Sequence, residues 1–186
     1  MKKLFLIILI YVSLSATNAI STELGDYQGL LDDIITLNEL GNLNEAISKT
    51  DLMVKNYAAQ SETYSQLRTY VANALFNKAN ILSRQAILNN DKEKYLEAIS
   101  SYDLLLTLYD KYQDANLQFY IVLALVVKGE QLEALQKYDL AINSYDKAIE
   151  RLIFEPDQLT QAQIAQAMIN KGVIKFEHKK FDEALK

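Results

Sequence analysis

One short pattern of apolar and polar positions returns four times along the chain. A large apolar or aromatic residue is followed by two variable residues, alanine, then isoleucine or leucine. It reads Leu43-Asn44-Glu45-Ala46-Ile47, Tyr95-Leu96-Glu97-Ala98-Ile99, Tyr138-Asp139-Leu140-Ala141-Ile142 and Phe181-Asp182-Glu183-Ala184-Leu185. The alanines are 52, 43 and 43 residues apart. A second pattern runs in phase with the first. Gly129 and Gly172 each lie twelve residues before an alanine of the first pattern, and Ala86 occupies that place before Ala98. Tyr102 and Tyr145 follow four residues after their alanines, where the first unit has Thr50; Met53, Leu105 and Ala148 follow seven residues after. Steps of three and four join neighbours on one helix face, so each series lines one stripe of a helix. Small residues on that stripe let a second helix come close, and each unit reads as two antiparallel helices.

Turn and cap residues divide the chain accordingly. Asn38 to Asn42, with Gly41, and the run Asn89-Asn90-Asp91 read as turns. Asn42 with Glu45 has capping-box spacing, and Asp114 and Asp157 are candidate N-caps. The predicted helices are 25–39, 43–57, 62–88, 92–110, 115–135, 138–154, 158–177 and 180–186. The apolar run Phe119 to Val127 could form a buried strand; its place in the repeat favours a helix packed on both sides.

The first residues follow a different pattern. Lys2 and Lys3 precede an apolar run of eleven residues, Leu4 to Leu14, and the small residues Ser13, Ser15, Ala16, Thr17 and Ala19 lie near the expected cut. This is the layout of a secretory signal cut after Ala19. Eleven helical residues span about 17 Å, short of a hydrocarbon core of about 30 Å, which disfavours the alternative reading, an uncleaved membrane tether. No cysteine follows the run, which excludes a lipoprotein anchor. The expected organisation is a signal peptide at 1–19, a short leader at 20–24 and one helical domain at 25–186. The expected place is the bacterial periplasm or the exterior, with no stable membrane insertion after cleavage.

Composition narrows the chemistry. Five glycines and one proline among 186 residues disfavour turn-rich β folds and Pro/Gly-rich disorder. The absence of cysteine removes disulfides, thiolate metal sites and cysteine nucleophiles. Nineteen basic against twenty-four acidic side chains, with no basic run, make a poor nucleic-acid ligand. The scattered glycines form no phosphate-binding loop, and His178, the single histidine, sits in the charged stretch Glu177-His178-Lys179-Lys180, read as a solvated turn. Asp32 and Asp33 are adjacent, so on a helix they point about 100° apart and make no shared site. No catalytic, metal or cofactor residue is assigned, and the chain is expected not to be an enzyme. Of the twelve tyrosines, Tyr95, Tyr102, Tyr138 and Tyr145 share the repeat and read as core. Tyr57, Tyr64, Tyr70, Tyr109, Tyr112 and Tyr120 fall outside it and suit a groove or helix ends.

These recurring positions resemble the tetratricopeptide repeat (TPR) family. Gly129, Tyr138, Ala141, Tyr145 and Ala148 meet its pattern in the third unit, with Leu132 in place of a tyrosine; Gly172, Phe181 and Ala184 meet it in the fourth; Ala86, Tyr95, Ala98 and Tyr102 in the second; Leu43, Ala46 and Gly41 in the first. The period of 43 exceeds the family's 34, which asks for helices about one turn longer, and Pro156 is the only unit-ending proline. The resemblance implies an all-α, right-handed solenoid of helical hairpins, with units roughly 25–57, 62–111, 114–154 and 157–186, the last truncated. It implies a noncatalytic scaffold that holds a protein or peptide on its inner face. Asn80, Ser83, Ile87, Glu130, Glu133, Gln166, Ile169 and Val173 map to that face. Their neutral to acidic character disfavours a carboxylate ligand and suits an apolar, polar or basic peptide. The alternative is a structural subdomain or remnant of a longer repeat protein with no ligand of its own. After Ala184 little of the fourth unit's second helix remains, so Met168, Gly172 and Phe176 should lack cover and invite self-association.

The exported chain is expected to begin near Ile20 and to fractionate as soluble periplasmic protein. Mass spectrometry of the fractionated cells checks this; intact Met1 in the membrane fraction would contradict it.

Overall fold

A computed structural model describes residues 26–154 and 156–184, with side chains described for all of these except Phe154 and 178–184. The expected signal at 1–19, the leader at 20–24 and the side chains of His178, Phe181 and Ala184 lie outside that description. Among the described residues the fold is entirely helical. The helices are α1 (26–39), α2 (Leu43–Ser61), α3 (Ser65–Asn89), α4 (Lys92–Tyr109), α5 (Ala115–Ala134), α6 (Tyr138–Glu150) and α7 (Gln158–Ala184), with a 3-10 turn at Arg151–Phe154. Consecutive helices pack in pairs. In addition α3 packs on α5 and α5 on α7, so the odd-numbered helices form a row, while α4 and α6 each wedge between two of them. No described helix is long and apolar enough to cross a membrane.

Local chemistry explains most boundaries. Gly41 takes φ +79° in the turn after α1, a conformation that costs glycine nothing. Asn90 closes α3 in the left-handed region, and the Asp91 carboxylate caps α4 by accepting from Glu93 N–H at 2.9 Å and Lys94 N–H at 3.2 Å. Asp157 caps α7 by accepting from Thr160 N–H at 2.8 Å, which holds its carboxyl below the usual range. The run Phe119 to Val127 lies within α5.

Several expectations are corrected. Asn42 and Asp114 stand at helix N-termini, but neither side chain makes a cap bond; Asp114 turns to Arg68 instead. Helix α2 continues to Ser61 rather than ending at residue 57. Its last turn is held by the hydroxyl contact between Ser61 and Tyr109, 2.9 Å. Tyr109, expected at a groove or helix end, is therefore core, and burial pushes its hydroxyl up to about 12. Helix α6 ends at Glu150, not 154. Helix α7 runs unbroken through 178–180, where a turn was expected. Glu177-His178-Lys179-Lys180 contains no glycine, proline or asparagine, so nothing local stops the helix.

The packing also corrects the alignment of α3. Leu67, Leu117 and Thr160 are buried, as are Val71, Ile121 and Ile164, and Ala74, Ala124 and Ala167. These triplets step by 50 and then 43 residues. In the same steps Lys78, Lys128 and Lys171 pair with Asp51, Asp103 and Asp146 of the preceding even-numbered helix. Each aspartate stands five residues after Ala46, Ala98 or Ala141. Ala79, not Ala86, is thus the counterpart of Gly129 and Gly172. Ala86 lies two turns further on, where its carbonyl accepts from Asp91 N–H at 3.0 Å.

The joints between hairpins share one device. A side chain in the first turn of α3, α5 and α7 reaches back to a carbonyl before the helix. Gln118 donates to Tyr112 O at 2.5 Å and Gln161 to Pro156 O at 2.6 Å. At the corresponding place Arg68 donates to Ser61 O and Glu62 O, both 3.2 Å, and grips the Asp114 carboxylate at 3.0 Å. Its guanidinium lies 4.1 Å from the centre of the Tyr112 ring. Arg151 holds the other end of the same loop through Asp110.

Arg68→Ala strips two carbonyls and a carboxylate of their donor and should cost about 2–3 kcal/mol. Arg68→Lys should recover less than half of that, because one ammonium cannot span the fork. Urea unfolding followed by circular dichroism checks both; a lysine variant as stable as the wild type would deny the fork its role.

Candidate functional site

The tyrosines of the repeated stripe carry the site. Tyr102 on α4 and Tyr145 on α6 have fully buried rings, placed by the four-residue step from Ala98 and Ala141. Their hydroxyls point to the row of odd helices and are buried with the rings. Tyr102 donates to Asn80 Oδ1 at 2.8 Å, with Ser83 also hydrogen-bonded to it. Tyr145 donates to the Glu133 carboxylate and accepts from Asn170 Nδ2 at 3.3 Å. Asn170 in turn reaches Glu130 at 3.4 Å and accepts from Gln166 Nε2 at 2.7 Å.

The result is a polar track in two separate hydrogen-bonded clusters, one around Tyr102 on α3 and one around Tyr145 on α5 and α7. Five of the eight expected inner-face residues belong to it: Asn80, Ser83, Glu130, Glu133 and Gln166. Ile87, Ile169 and Val173 are exposed but make no part of the hydrogen-bonded track. Ile87 stands two turns beyond Ala79, near the end of α3, as the corrected alignment requires. Asn170 was not anticipated, nor were the tyrosine hydroxyls, whose residues read only as core. Asn170 lies one residue before Lys171, the partner of Asp146; that repeated lysine is the signal that would have located it.

The electrostatics are acidic. Burial raises the Glu130 carboxyl above its usual range, Asn170 lowers it in part, and the Glu133 charge raises it further. Burial and the neighbouring Glu133 push the Tyr145 hydroxyl far up, so it is a hydrogen-bond donor and never a base at neutral pH. Burial does the same to Tyr102, with Glu130 adding to it. Among the described residues no group of three or more His, Cys, Asp or Glu side chains is placed to hold a metal ion. The track offers carboxylates and amides along three helices, held in place by the buried phenols.

Its geometry depends on one glycine. A Cβ at Gly129 would overlap the Tyr145 ring, whereas a Cβ at Gly172 would meet nothing within 4 Å. No family model matches the chain, and neither a curated protein nor a solved structure does.

Gly129→Ala should therefore destabilise the fold by about 1–3 kcal/mol through overpacking. Gly172→Ala should be neutral or stabilising by up to about 1 kcal/mol, as for an unobstructed helix position. Thermal melting of the two variants checks the contrast, and equal shifts would refute the close Tyr145 contact.

Proposed function

We propose that this chain is a noncatalytic scaffold of the bacterial envelope, a right-handed solenoid of TPR-like helix pairs that holds a protein or peptide on its inner row of odd-numbered helices. The observation that carries the reading is the polar track from Asn80 to Gln166, fed by three odd helices and anchored by two buried tyrosines. Extended peptides need such spaced donors and acceptors for their backbone. Glu130 and Glu133 favour a ligand with lysine or arginine side chains. No cofactor is part of the reading.

A second reading rests on α7. Met168 and Ile169 are 44% and 59% exposed, while their counterparts Leu125 and Val126 on α5 are buried. Val173 continues the exposed stripe. Such a face suits a structural unit that docks on further protein, a second copy included, and takes no free ligand.

Arrays of short peptides probed with the purified chain separate the two. Under the first reading lysine- and arginine-bearing peptides are retained, and the Glu130→Gln/Glu133→Gln double variant loses at least tenfold in affinity while keeping its helical spectrum. Peptide-independent self-association with no retained peptide would favour the second.

A further inference from the structure

The other side of the molecule carries a groove that the track does not explain. Helices α4 and α6 both flank α5 without packing on each other to a comparable extent. Between them lies a cleft of about 410 Å³. Its floor is Leu125 and Leu132 of α5, and its walls carry Leu96, Ile99 and Leu106 from α4 and Leu140 from α6. The floor is buried, yet Leu96 and Leu140 are 46% and 54% exposed. The rim is basic. Lys128, Lys137 and Lys147 line it against a single carboxylate, Asp103, which Lys128 already engages. Lys137 and Lys147 are exposed and stand in no ion pair among the described residues.

The neighbouring cleft between α2 and α4 has a similar size, about 430 Å³, and an apolar floor of Leu75 and Leu82. Its rim has the opposite sign: Asp51, Glu93 and Glu97 surround Lys78. Two equivalent positions thus share a shape and differ in charge, so the lysines of the second are not a requirement of the fold.

We infer that the α4–α6 groove is a docking site for an acidic amphipathic helix of a partner protein. Leu96 to Leu106 spans eleven residues, about 16 Å of helix, which matches three turns of a guest. Apolar guest residues at i, i+3 or i+4, and i+7 reach the leucine floor as one ridge. Glutamates or aspartates beside that ridge meet Lys137 and Lys147, which border the groove near the start and the last turns of α6. The inference is independent of the peptide track, because it concerns other side chains on another face.

The test uses the full chain and a labelled helical peptide of sixteen residues, with leucines on one stripe and glutamates beside it. A twin carries lysines in place of the glutamates. Fluorescence anisotropy should show the acidic peptide binding at least tenfold tighter than its twin, with an affinity that falls as salt rises. Lys137→Glu/Lys147→Glu should weaken the acidic peptide at least tenfold, and Lys137→Gln/Lys147→Gln by a smaller factor. Both lysines are exposed, so the melting temperature should hold. Glu93→Lys/Glu97→Lys, in the other cleft, should not weaken it. Equal binding of the twins, or an unchanged affinity in the lysine variants, would overturn the inference. So would a photo-crosslink from the peptide that falls outside α4, α5 and α6. Vesicles of anionic lipid that bind through the same lysines, with no peptide bound, would overturn it in favour of a membrane surface.

Discussion

The close approach of Tyr145 to the bare backbone of Gly129 is the constraint on which the architecture turns. It sets how near α6 can come to α5, and it points the tyrosine hydroxyl at the next odd helix. Ala46, Ala98 and Ala141 do the same kind of work one turn earlier, each with no exposed surface. A side chain larger than alanine at these places would separate the helices, and interiors packed as tightly as proteins are do not absorb such a change. The stripe of small residues therefore fixes spacing, and the tyrosines fill the space that spacing leaves. Core and site are joined by the same residues: the ring fills the packing, and the hydroxyl, itself buried, holds the polar side chains of the odd helices in place.

What the sequence makes legible follows from this. The stripe could be read because its first contact tolerates few residue types: Ala46, Ala98 and Ala141 recur in each unit, Tyr102 and Tyr145 in two of them, while Met53, Leu105 and Ala148 vary. The alignment of α3 could not. Ala79 and Ala86 are the same residue seven positions apart, and seven residues are two turns, so both lie on one face of the helix. Only the pairing of Lys78 with Asp51 and of Tyr102 with Asn80 tells them apart. The unbroken course of α7 was obscured by analogy with the preceding pairs, although the residues at 177–180 contain no helix breaker. Of the track, Asn80, Ser83, Glu130, Glu133 and Gln166 could be placed once the odd helices were assigned to one face. Asn170 could be located only through the repeated lysine that follows it, Lys171, because its tyrosine and glutamate partners come from α5 and α6.

Charge is distributed with a logic that composition conceals. A net acidic chain places carboxylates on the track and on the α2–α4 cleft, and leaves the α4–α6 groove basic. The odd-helix face and the even-helix face thus present different chemistry. A partner on one need not compete with a partner on the other.

The joints between hairpins carry a consequence for how the molecule comes apart. Arg68, Gln118 and Gln161 tie each odd helix to the loop before it, and the Lys–Asp pairs tie it to the even helix before it. These polar ties run between consecutive units, while Lys49–Asp33, Tyr102–Asn80 and Tyr145–Glu133 tie the two helices within a hairpin. Cooperativity in a stacked array depends on coupling between neighbours relative to the stability of each unit. With every seam tied, the array is expected to melt as one body. Loosen a single seam and the transition divides there, into two blocks that each lose structure at their own temperature.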